Sequence, residues 1–240
     1  MKYTLRTILG LCALTLTLNS CSTSGSRSGE ENTTRAQFLD DVFVTPSMKG
    51  KAPSELYSEV MFRHVKTGRL REMGWWAAQS PKTQADLERD AFQLGTYMEH
   101  AFSQAVASYP GGHFRVVHVP GPRTMVIDLS IKELVPAKKV WNAAATGAGF
   151  VIPGAGLLGA AGKGSITIDG QVYDGATSRL LAGFTAHESD DSALVNTAQF
   201  SWYRGSERSI EQVAQKTASF LNAPRGTVIE KSGNIKLISR

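Results

Sequence analysis

The sequence predicts an α+β domain: a largely antiparallel sheet covered on one face by two main helices, behind a cleaved lipoprotein signal peptide and a flexible tether. Three observations carry this. The chain opens on two cations followed by a short apolar run. Two stretches, within 83–107 and 209–221, repeat apolar residues at steps of three and four. Around them lie alternating segments joined by short turn signals, so most strands follow one another as hairpins and the helices stand apart.

Lys2 and Arg6 precede an uncharged run from Thr7 to Leu18, then Leu18-Asn19-Ser20-Cys21. A positive end, a short apolar core and small residues before a cut describe a secretory signal, and the run is too short for a mature membrane span. The Leu-x-Ser-Cys ending resembles the lipobox of bacterial lipoproteins. That resemblance implies removal of residues 1–20 and lipidation of Cys21, with diacylglycerol on sulfur and an acyl chain such as palmitate on the amine. Ser22, rather than Asp, after Cys21 implies the outer membrane, with the domain facing the periplasm. At about 0.8 kcal/mol per buried methylene, three acyl chains make such an anchor effectively permanent. Cys12 lies in the removed segment, so the mature chain has no second cysteine and no disulfide.

Residues 21–36 form the lipidated N-terminus and a polar, glycine/serine-rich tether, leaving 37–240 as a single domain. Loss of Lys2 and Arg6 takes the net charge from +5 to +3. With no basic run and no basic stripe interleaved with aromatics, nucleic acid is not an expected partner.

Val42-Phe43-Val44, closed by Thr45-Pro46, reads as a first strand, and Tyr57–Val65 fits either a strand or a helix. Leu87, Ala91, Leu94, Met98, Ala101 and Ala105 mark one face of a helix over 83–107, with Ser80 or Thr83 as cap and Pro81 in the first turn. Phe114–Val119 reads as a strand, Pro120-Gly121-Pro122 as a turn, and Thr124–Val135 as a strand whose Met125, Ile127, Leu129 and Ile131 alternate with polar or outward positions. Ile166, Ile168 and Val172 continue the pattern. Asp174-Gly175 turns the chain, and Leu180–Ala186 returns beside it. Ser209-Ile-Glu-Gln212 has capping-box spacing before a helical face of Ile210, Val213, Ala214, Thr217 and Leu221. Thr227–Ser239 reads as two short strands about Ser232-Gly233-Asn234.

Several of these motifs occur in an order that resembles a known group. Asp41-Val-Phe-Val-Thr-Pro46, the Pro-Gly-Pro turn, Glu133-Leu-Val-Pro136, Gly164-Ser-Ile-Thr-Ile-Asp-Gly170 leading to Asp174-x-x-Thr177, and Phe200-Ser-Trp202-Tyr203 together are similar to the bacterial lipoproteins of a domain of unknown function, DUF3313. The resemblance spans most of residues 38–222 and implies no activity. Two departures stand out. Ser178 replaces the glycine of Asp-x-x-Thr-Gly, so the turn needs another way to reach a left-handed residue. Ala186-His187-Glu188 replaces an Asp-Arg-Glu set, of which only Glu188 survives.

No catalytic constellation is visible. There is no Gly-x-Ser-x-Gly elbow and no His-Glu-x-x-His, and His113 and His118 fall five apart in one predicted strand, on opposite faces. Glu188, Asp190 and Asp191 lack the glycine and spacing of a calcium loop, so neither metal nor cofactor is expected. Gly154-Ala-Gly156-Leu-Leu-Gly159 matches a dinucleotide fingerprint in form only. Pro153 precedes it and no amphipathic helix follows; the phosphate-loop pattern also fails, with Leu157 and Gly164 at two required positions. Nucleotide is thus excluded as a ligand.

What remains is interaction. Asn142–Gly162 is uncharged and flanked by Lys138, Lys139 and Lys163. Its glycines and Pro153 disfavour a membrane helix and favour an apolar loop between strands, where Phe150, Leu157 and Leu158 would meet a partner or lipid. Trp75-Trp76, read as adjacent residues of a strand, would send one ring outward as a second contact. The leading expectation is a non-enzymatic outer-membrane lipoprotein that binds or scaffolds an envelope protein. One alternative is a carrier of lipid or another apolar small molecule, with 147–162 as lid over a cavity between sheet and helices. Another is an envelope hydrolase using Glu188 and a nearby histidine.

Overall fold

The computed structural model describes residues 35–135, 164–189, 204–224 and 227–230. Along the chain the elements are β1 (Asp41–Val44), α1 (Pro53–Leu56), β2 (Glu59–Phe62), a 3-10 turn at Gly68–Glu72, α2 (Gly74–Ala77) and α3 (Pro81–Ala107). Then come β3 (Arg115–Val116), β4 (Thr124–Val135), β5 (Ser165–Asp174), β6 (Leu180–Ser189) and α4 (Arg204–Asn222).

The strands form one sheet in the order β1-β6-β5-β4-β2-β3. The fold is α+β as expected, but the sheet is mixed. The β1–β6, β6–β5 and β5–β4 pairs are antiparallel, whereas β2 runs parallel to both β3 and β4. The reason is α3. A 27-residue helix between β2 and β3 carries the chain back across the sheet, and such a crossover delivers parallel neighbours. β3 is also shorter than predicted. The Val117 N–H still reaches the Val60 carbonyl at 2.9 Å, but the proline turn then draws the chain away.

Alternation sets the two faces of β4. Met125, Ile127, Leu129 and Ile131 face the core, and register shifts between Ile131 and Glu133 so that Leu134 regains it opposite Ile166. Against this face lie α3, through Leu87, Ala91, Leu94, Met98, Phe102 and Val106, and α4, through Ser206, Ser209, Ile210, Val213, Ala214, Thr217, Ala218 and Leu221. Phe102 and Val106 take the places assigned to Ala101 and Ala105, because the stripe advances by four residues at its end. Ser80 caps α3 by accepting from the Thr83 amide, with Pro81 just inside. Ser209 does not cap α4. The helix begins at Arg204, and Ser209 is buried within its inner stripe.

The folded part starts earlier than the tether boundary at 36. Arg35 is 6% exposed and Ala36 fully buried; Ala36 bridges Ile229, whose N–H donates to the Arg35 carbonyl at 2.7 Å. The strand pair expected over 227–239 is described only to Glu230. Among the described residues no helix is long and apolar enough to cross a membrane.

At the Asp174 turn, Ser178 itself adopts the left-handed conformation, with φ 55°. The Asp174 side chain compensates. Its Oδ1 accepts from the Ala176 and Thr177 amides at 3.1 and 2.7 Å and from the Thr177 hydroxyl at 2.7 Å.

Candidate functional site

Between α4 and the antiparallel half of the sheet lies an apolar cavity of about 90 Å³. Met125, Ile127 and Val172 form its floor, Leu181–Phe184 one wall and Thr217, Phe220 and Leu221 the roof, with Phe38, Met48 and Lys51 adding to the lining. Packing at the sheet shapes it. Gly170 pairs with Phe184, and a methyl on Gly170 would come within 2.2 Å of the Phe184 ring. The ring therefore lies across the glycine and borders the cavity. Where β5 and β6 slip register between Val172 and Tyr173, the wall stays irregular.

Three polar groups interrupt this lining. The buried Arg35 guanidinium donates to the carbonyls of Thr227 (3.2 Å) and Pro224 (3.0 Å) and lies 5.6 Å from the Phe220 ring centroid. Among the described residues it has no carboxylate partner. Lys51 is exposed and likewise makes no ion pair there. Thr217 is 6% exposed, and its hydroxyl oxygen has no hydrogen-bond partner among the described residues. A buried polar group left unmatched is costly, so a wall built this way favours an occupant with polar atoms at matching places.

The residues singled out in the sequence lie elsewhere. Cys21, Phe150, Leu157 and Leu158 are outside the described residues, as are Asp190 and Asp191. Trp75 and Trp76 are 7% and 2% exposed, so neither presents a ring to a partner. They sit in the helical turn α2 rather than a strand. Successive residues in a helix point about 100° apart, and both rings turn into the core with centroids 5.6 Å apart.

Glu188 meets the Lys216 ammonium of α4 at 2.7 Å, with both side chains largely buried. His187 next to it points to the opposite face, where its Nδ1 lies 3.0 Å from the Thr167 hydroxyl. The strand thus holds Glu188 and His187 on opposite faces. His113 Nε2 lies 3.0 Å from the Tyr57 carbonyl, while His118 lines a shallow concavity with His64, Glu99 and Asp128. Among the described residues no three such side chains are placed to hold a metal ion.

The face away from the helices carries a charge array. Asp128 takes Arg63 at 3.2 Å and Lys66 at 3.1 Å; Asp169 takes Arg69 at 3.7 Å and Lys132 at 3.8 Å. At the sheet's end, the Tyr57 hydroxyl donates to Asp174 at 2.9 Å. Burial, and then that bond to Asp174, push the tyrosine up to about 12. The Thr177 hydroxyl in particular holds the Asp174 carboxyl below its ordinary value. The Thr124 hydroxyl and then Arg115 do the same for Glu59. These groups are held in their ordinary charge states and fasten the turn.

Sequence reasoning missed Arg35, Lys51 and Phe184 as site residues. Thr217 did leave a signal, as a hydroxyl within an otherwise apolar helical face.

Solved structures with a similar course of chain exist at low identity. PelC from Paraburkholderia phytofirmans, titled as a dodecamer, matches at 11% identity and TM-score 0.39, over 77% of this chain and 96% of that one. The hypothetical protein CT253 from Chlamydia trachomatis matches at 10% and 0.38, over 70% and 99%. A DUF330 protein from Xanthomonas campestris matches at 11% and 0.33, over 77% and 89%. Likeness at this level bears on neither ligand nor assembly. No curated protein matches the sequence. The resemblance carried by the motifs from Asp41 to Tyr203 has a direct counterpart: the family model "Protein of unknown function (DUF3313)" matches residues 42–217, and the chain belongs to that family.

Proposed function

We propose that this chain is an outer-membrane lipoprotein, tethered through Cys21 and facing the periplasm, whose domain is a non-enzymatic binding module of the cell envelope. Its ligand is an apolar small molecule or lipid held between α4 and the sheet. The cavity carries the reading: apolar walls around a buried hydroxyl with no partner among the described residues. Pockets of this composition, with a few placed polar groups, are the usual form of small-molecule sites. The lid expected over 147–162 lies outside the described residues.

Two measurements test this. Radiolabelled palmitate should enter the wild-type chain and not Cys21→Ala; equal labelling removes the anchor. Native mass spectrometry of residues 22–240, which keep every residue of the described core, should show a co-purifying small molecule. A clean apo mass after mild purification, with no uptake on adding lipid extract, counts against the carrier.

A second reading, capture of an acidic envelope protein, draws on the cation-rich array around Asp128 and Asp169. Crosslinks in cells that vanish in Lys66→Glu/Lys132→Glu but persist in Phe184→Ala would favour it over the cavity.

A further inference from the structure

The polar groups of the cavity say what kind of apolar molecule it takes. Among the described residues lining it two are cations, Arg35 and Lys51, and none is an acid. A buried guanidinium is ordinarily matched by a carboxylate, because desolvating an unpaired charge is expensive. Here, among the described residues, Arg35 has only carbonyl dipoles and an aromatic face. It presents five N–H donors, and two hydrogen bonds to carbonyls leave donors free for an acceptor from outside. Lys51, which also lines the cavity, has no ion pair either among the described residues. Thr217 adds a donor without an acceptor among the described residues, one helical turn from Phe220, which the guanidinium overlies.

We propose that the cavity binds an alkyl chain ending in an anionic oxygen head group, with the head against Arg35 and Lys51 and the chain along Phe38, Met125 and Phe184. This rests on the cavity reading above and names its ligand class. A neutral apolar molecule would use the walls and leave both cations unmatched. A cationic amphiphile would be repelled. Size sets a further limit. The 90 Å³ space is about three-fifths of the ~150 Å³ that accommodates benzene in an engineered core, so about four carbons fit without rearrangement. A longer chain must displace the half-buried Phe184 ring or leave through the open side. Carboxylate and phosphate heads share the chemistry Arg35 and Lys51 recognise, and one chain length can tell them apart.

The test is an NMR titration of residues 22–240 at low salt with octanoate, octyl phosphate and octan-1-ol. At least one anion should bind ten-fold or more tightly than the alcohol, and whichever binds better identifies the head group. In Lys51→Met the preference should fall below about three-fold while octanol binding persists. Lys51 is exposed, so this variant keeps the core. Equal affinity for all three ligands would overturn the anionic head and leave the apolar carrier standing. Binding of none would overturn both. An anion preference unchanged in Lys51→Met and in Thr217→Val would place the head group elsewhere and also defeat the proposal.

Discussion

Gly170→Ala is the sharpest perturbation of the cavity wall. The added Cβ would sit 2.2 Å from two carbons of the Phe184 ring, where apolar contact needs about 3.5–4.0 Å. The ring must therefore retreat by roughly 1.3–1.8 Å, and the space beside it is the cavity. Because that space exists, the strain falls in the lower part of the overpacking range, about 1–2 kcal/mol. Phe184→Ala alone should cost about 2 kcal/mol, less than a fully buried phenylalanine because the residue is partly exposed. With the ring gone the clash disappears. Gly170→Ala then gains about 0.5–1 kcal/mol, since alanine restricts the unfolded chain more than glycine does. The two substitutions should couple by about 1.5–3 kcal/mol. Urea unfolding of the four proteins in the cycle measures this. With an m-value near 2 kcal/mol/M, Gly170→Ala should lower the midpoint by roughly 0.5–1 M in the wild type and raise it slightly without Phe184. An equal loss in both backgrounds would refute the claim that Phe184 occupies the glycine's space.

Ser178→Gly should raise stability by about 0.5–1 kcal/mol, seen as a higher Tm, because glycine removes the cost of a left-handed residue; a lower Tm would mean that the serine side chain stabilises the turn. Asp174 titrates below its unfolded value of about 3.9, chiefly through the Thr177 hydroxyl, so the stability it contributes is complete above that pH and lost as pH falls through the lower folded value. Unfolding midpoints taken from pH 6 to pH 2 should drop more steeply for the wild type than for Asp174→Asn, and parallel curves would contradict this. Glu188→Gln should cost about 1–3 kcal/mol in chemical denaturation, since it leaves a largely buried Lys216 ammonium without its carboxylate; a neutral effect would free Glu188 for another role.

The parts of the fold legible in the sequence were those set by local chemistry. Thr124–Val135 was read to the residue because alternation and Pro136 define both its nature and its end. Ser80-Pro81 likewise announced the start of α3. The parallel pairing of β2 was not legible, since it depends on where a 27-residue helix returns the chain, and nothing in Glu59–Phe62 encodes its neighbours. Trp75-Trp76 misled for a related reason. Two adjacent aromatics have no intrinsic period, and a four-residue helix is too short to show one. The cavity draws its walls from five distant segments, so no window of sequence contains it. Arg35 was hidden at the end of a polar stretch, where composition pointed to tether and only the fold reveals a buried charge.

The meeting of Ala36 with Ile229 also bears on the proposed tether. The first and last described parts of the chain lie side by side, and Arg35 beside them lines the cavity. Cys21 stands fourteen residues before Arg35, a chain that can reach at most roughly 50 Å when drawn straight. With Cys21 in the membrane as proposed, the cavity's charged end is kept on a leash of that length. Its exchange partner would then be the leaflet holding the anchor, met as a neighbour and not by diffusion through the periplasm.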